Sequence, residues 1–167
     1  MRVHVPSATD AGAALAISEE YRPALWWVFE CTAPEDHWVI LDAIYEHRLP
    51  LRVVDEFADE LCTRIVGWPR GEAMWVWAQS RGAWQMIEGD HLGRGVDVLA
   101  LDPCQATNVC FSWWQQRFRH DSDGWKKWVR DMQHPIRRYA AASVESAVMT
   151  MDQIAALSQA GKAPSPR

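Results

Sequence analysis

Between Glu88 and Asp97 the sequence EGDHLGRGVD gathers the ingredients of acid–base chemistry. His91 with Asp90 or Asp97 could serve as a general base, Arg94 could hold an anion, and the glycines would permit an unusual backbone path. The same residues also fit a plain connection between helices, in which Gly89 ends one helix and Asp90 or Gly95 caps the next. The connection is the preferred reading, because catalysis needs groups converging from separate segments and this cluster is local.

Other reactive side chains form no constellation. Cys104 and Cys110 stand six positions apart, about 240° round a helix, so they cannot chelate from one face. The six histidines show no H-x-x-x-H or HExxH spacing, and His37 and His47 are expected to face water. DSDG, from Asp121 to Gly124, starts like a calcium loop, but glycine stands fourth and no glutamate stands twelfth; Asp123 as a helix N-cap is the simpler reading. P-loop, GxSxG and dinucleotide fingerprints are absent from the sequence. No catalytic residue, metal or cofactor is expected, and the chain is read as non-enzymatic.

What the sequence has in excess is tryptophan, with 11 residues, many in close pairs. Most are expected in the core, with their N–H groups reaching acceptors at its margin. If residues 71–88 form one helix, Met74, Trp77, Ala78, Arg81 and Trp84 share a face, whereas Trp75 points nearly opposite, towards Gln79, Gly82 and Met86. Trp75, then Trp114, with Met86 beside the first, are therefore the expected partner-binding residues. Charge is also uneven. From Asp10 to Glu60 there are 12 acidic residues against Arg22, Arg48 and Arg52, and from Arg117 to Arg138 seven basic residues against three aspartates. Lys126, Lys127, Arg130, Arg137 and Arg138, interleaved with Trp125 and Trp128, are candidates for contact with an anion such as single-stranded nucleic acid.

These side chains must be positioned by helices. Residues 51–66 place Val54, Phe57, Ala58, Leu61, Cys62 and Ile65 on one face, with Gly67 as the stop and Pro69 after it. Pro34 opens a helix with apolar positions Trp38, Leu41, Ile44, Tyr45 and Leu49; Asp102 caps another that begins at Pro103. Further helices are expected over 8–20, 23–31, 71–88, about 125–133 and from Ile136. The fold expected is all-α, a bundle of about seven or eight amphipathic helices over 1–157, with a disordered tail over 158–167. A short β-ribbon pairing 74–79 with 96–101 is the alternative for those segments.

A net charge of −5 and a hydrophobic fraction of 49% belong to a packed globular chain. With no leader sequence and no long apolar run, the four cysteines read as reduced core thiols and the protein as cytoplasmic, without a membrane span. Small, acidic, helical and without catalytic motifs, the chain resembles the accessory and assembly proteins of bacteriophages, tail assembly chaperones among them; the likeness carries over no individual residue. The expected function is a protein-interaction module, an adaptor, assembly chaperone or inhibitor, using a tryptophan-rich surface. The alternative is nucleic-acid binding through 117–138.

Overall fold

A computed structural model describes residues 1–16 and 23–133, which lie within one compact unit, Met1–Pro135. The helix expected from Ile136, Arg137, Arg138 and the tail 158–167 lie outside the described residues. Among those described the fold is all-α, with eight helices: α1 (Ala8–Leu15), α2 (Pro23–Glu30), α3 (Pro34–Tyr45), α4 (Leu51–Ile65), α5 (Arg70–Gly82), α6 (Trp84–Leu92), α7 (Pro103–Arg117) and α8 (Ser122–Gln133).

Local chemistry sets the boundaries. The Ser7 hydroxyl accepts the Asp10 N–H at 3.1 Å to start α1, and the Asp102 carboxylate accepts the Gln105 N–H at 2.8 Å to start α7, with Pro103 at the first helical position. Gly67, at φ 76°, follows α4 in the left-handed region where a side chain would be strained. At α8 the cap is Asp121, whose Oδ1 accepts the Gly124 N–H at 2.8 Å, and not the expected Asp123, which lies in the first turn and pairs with Lys126.

The face expected on α4 is the one that packs: Val54, Ala58, Leu61 and Cys62 are buried and Phe57 and Ile65 partly so, against α2 with its buried Trp27 and Val28. At the centre lies α5, which touches α1, α4, α6, α7 and α8. Its first neighbour approaches closely, because Gly12 of α1 lies flat against the six-membered ring of Trp77. The Trp77 N–H donates to Thr107 Oγ1 at 2.9 Å, and that hydroxyl donates to the Pro103 carbonyl at 2.7 Å, so a buried indole is fully satisfied.

Three expectations need correction. The ribbon over 74–79 and 96–101 does not form: the first segment is inside α5, and the second contains a 3-10 turn, Val98–Ala100, capped by Asp97. Nor is 71–88 one helix. Gly82 lowers helix propensity by about 1 kcal/mol relative to alanine, and the Ala83 N–H turns back to the Ser80 carbonyl at 3.0 Å, so α6 restarts at Trp84 and its ring stacks on Trp77 at 6.2 Å. Lastly, the buried stripe of α3 is turned part-way from the expected one: Leu41, Ile44 and Leu49 of the expected row are partly covered, but Trp38 and Tyr45 are not. Ile40 is buried, with His37, Leu41 and Ile44 partly covered, while Trp38 and Tyr45 point outward.

Candidate functional site

The exposed side of α3 carries Glu35, Trp38, Val39, Asp42, Tyr45 and Glu46, at i, i+3, i+4, i+7, i+10 and i+11. Trp38 is 78% exposed, Val39 65% and Tyr45 85%, and among the described residues no other tryptophan or valine is as exposed. Both ends of this helix are anchored. Near its start, the Asp36 carboxylate accepts the Arg2 N–H at 2.9 Å, and His37 Nε2 donates to the Phe29 and Thr32 carbonyls at 3.0 and 3.1 Å. The His37 ring stacks on Phe29 with centroids 4.4 Å apart, and Phe29 meets the half-exposed Trp26 edge-on at 6.3 Å. His37 therefore closes the end of α2 and does not face water as expected. At the other end, the Leu49 N–H bonds the Ala43 carbonyl at 2.9 Å, and Arg48 bridges Asp42 and Glu46. An anchored helix thus offers three large apolar side chains bordered by carboxylates.

Sequence reasoning placed the aromatic surface elsewhere. Trp75 is half-buried with its N–H enclosed, and its ring meets Trp128 of α8 edge-on at 6.4 Å. The reason is that α8 packs on α5 at Trp75 through Trp128, whereas α1 meets α5 at Trp77 through Gly12. Trp114 is also turned inward: it stacks with Trp128 at 6.1 Å and Phe118 at 6.2 Å, and its N–H donates to Ser80 Oγ at 3.2 Å. These two residues belong to an aromatic cluster with Phe111, Trp125 and Trp128, and each keeps only part of its surface in water. Met86 is exposed and lines an open groove of about 610 Å³ between α6 and α7, along with Trp113, Arg117 and His120.

Within the basic segment, Lys126, Lys127 and Arg130 are exposed, Lys126 lying 3.3 Å from Asp123 and Arg130 3.6 Å from Asp131. The interleaved tryptophans stack on each other, Trp125 on Trp128 at 5.3 Å and 10°, with Trp128 buried and Trp125 partly exposed.

Around residues 88–97, three of the four polar side chains that looked chemical have a structural bond, while Arg94 is exposed. The Asp90 carboxylate accepts the Trp113 N–H at 2.7 Å, His91 Nδ1 sits 2.8 Å from the Ile87 carbonyl of its own helix, and Asp97 Oδ1 accepts the Leu99 N–H at 3.0 Å. Gly89 lies inside α6 and not at its end. Among the described residues no three or more histidine, cysteine or acidic side chains are placed to hold a metal, and no helix is long and apolar enough to cross a membrane.

No family model, curated protein or solved structure matches this chain. The reading of the site therefore rests on its own geometry.

What distinguishes α3 could have been read from its acids. Glu35, Asp42 and Glu46 fall on the same side as Trp38 and Tyr45, and three carboxylates mark that side as the wet one. The apolar row His37, Ile40, Leu41 and Ile44, free of charge, is the one that packs.

The cysteines provide an independent check on the core. Burial pushes the thiols of Cys31 and Cys62 up to about 12, with the neighbouring Cys62 adding to the effect on Cys31 and Arg70 opposing it on Cys62; Cys110 rises to about 11, against a hydrogen bond with Ser80. Only Cys104 is partly accessible. Iodoacetamide at pH 8 is expected to label Cys104 in the native protein and the other three only after denaturation, as mass spectrometry would show. Because the folded state holds these protons more tightly than the unfolded chain, stability should fall as pH rises from about 9 to about 12. Rapid native labelling of Cys31, Cys62 or Cys110 would contradict the burial.

Proposed function

We propose that this protein is a non-enzymatic protein-interaction module whose docking surface is the exposed side of α3. The observation that carries this reading is the outward placement of Trp38 and Tyr45, 78% and 85% exposed, on a helix whose other side already packs into the core. Aromatic residues that could have been buried yet are held out in water on an anchored helix have the make-up of binding hot spots, where tryptophan and tyrosine dominate. The half-exposed Trp26, linked to α3 through Phe29 and His37, extends the apolar character to α2. An adaptor, an assembly chaperone or an inhibitor, of the kind bacteriophages use as accessory proteins, would each work through such a face. We place its work in the cytoplasm, where its four free thiols would stay reduced.

The test uses Trp38→Ala combined with Tyr45→Ala. Because both side chains are exposed, stability should change by no more than about 0.5 kcal/mol, while capture of partners from an extract of the producing cell should be lost. Capture that survives the double substitution in a normally folded protein would remove α3 from consideration.

A further inference from the structure

We infer that the occupant of the α3 face is a basic amphipathic helix of another protein, its apolar residues meeting Trp38, Val39 and Tyr45 and its lysines or arginines meeting Glu35, Asp42 and Glu46; this rests on reading α3 as a docking face. The reason is electrostatic. Three carboxylates on this face stand against a single guanidinium, that of Arg48, which lies 2.8 Å from Asp42 and 2.6 Å from Glu46. Glu35 has no ion-pair partner among the described residues. The stretch of sequence that contains α3 has the same sign, with 12 acidic residues and only three arginines between Asp10 and Glu60. A field of one sign attracts a basic partner and repels an acidic one, and Trp38 and Tyr45, seven positions apart on one side of α3 with Val39 beside them, suit a helical ligand.

A second copy of this chain fits less well. Placing α3 against α3 would bring like carboxylates together across an interface that excludes water. The basic helix α8 is no better complement, because Lys126 and Arg130 already lie beside Asp123 and Asp131 and its tryptophans are turned into the aromatic cluster.

Two fluorescein-labelled peptides test the inference by anisotropy on the full chain: a leucine–lysine amphipathic helix and its leucine–glutamate counterpart, each at low and high salt. The lysine peptide should bind and the glutamate peptide should not. Binding should weaken about tenfold or more in Trp38→Ala/Tyr45→Ala, and its salt dependence should shrink in Glu35→Gln/Asp42→Asn/Glu46→Gln, with circular dichroism confirming that each variant is folded. Failure of the lysine peptide to bind, binding indifferent to the aromatic substitutions, or equal binding of both peptides would each overturn the inference. So would a dimer in sedimentation equilibrium that the aromatic substitutions disperse, since a second copy would then occupy the face. If those substitutions abolish capture from extract while peptide binding ignores charge, the docking face stands and the basic partner is wrong; if neither responds, both fall.

Discussion

Trp128→Ala is expected to reduce the free energy of unfolding by about 3–5 kcal/mol, the usual loss on truncating a buried large aromatic. Trp128 is only 6% exposed, and its ring is surrounded by those of Trp75, Phe111, Trp114 and Trp125, at centroid distances of 5.3–6.4 Å. Removing it empties the space that joins α5, α7 and α8, and rigid neighbours on three helices can close such a void only partly. Since a domain of this size has roughly 5–15 kcal/mol to lose, much of its stability is at stake. Trp75→Ala should also destabilise clearly, because its ring lies in the same cluster, whereas Trp75→Phe should be much milder. The indole N–H of Trp75 is enclosed without an acceptor, so deleting that donor offsets part of the lost volume. Urea titration of the three variants provides the check. A loss under about 1 kcal/mol for Trp128→Ala would show that the cluster does not hold these helices together.

Gly12→Ala should destabilise by about 1–2 kcal/mol, against the ordinary expectation for a glycine within a helix. An alanine there would raise helix propensity by up to about 1 kcal/mol, but its methyl would collide with Cζ3 of Trp77 and lie 2.6 Å from Cε3 and 2.9 Å from Cη2. The ring has little room to yield, being hydrogen-bonded to Thr107 and stacked on Trp84. Overpacking of about 1–3 kcal/mol therefore outweighs the propensity gain. The collision involves only the outer ring of the indole. Gly12→Ala should thus cost less in a Trp77→Phe background than alone, and a double-mutant cycle would show coupling. Strict additivity, or stabilisation by Gly12→Ala, would contradict the close approach of α1 to α5.

How legible this structure was in the sequence depended on whether a signal was local. Helix existence and several boundaries were readable, because Asp102 with Pro103, Gly67 after α4 and the row Val54, Ala58, Leu61 and Cys62 act through their immediate neighbours. The exposed aromatic face of α3 was not found, although its residues were all in view. On α3 helical spacing grouped Trp38 and Tyr45 with Leu41 and Ile44, whereas the buried stripe runs through His37, Ile40, Leu41 and Ile44; the acids that share the side of Trp38 and Tyr45 decide the matter. Trp75 was misplaced for a different reason. Its direction, opposite the main stripe of α5, was right, but which helix covers that side is a question of tertiary arrangement, and α8 begins more than forty positions later. Periodicity within one helix cannot report a partner from elsewhere in the chain.

The central claim, that the outer face of α3 receives another protein, is most directly tested by a photo-reactive benzoylphenylalanine at position 38, irradiated in the producing cell. A discrete adduct, larger than the chain alone and absent when the same group replaces Lys127, is the expected result. No adduct at 38, or the same adduct at both positions, would contradict it.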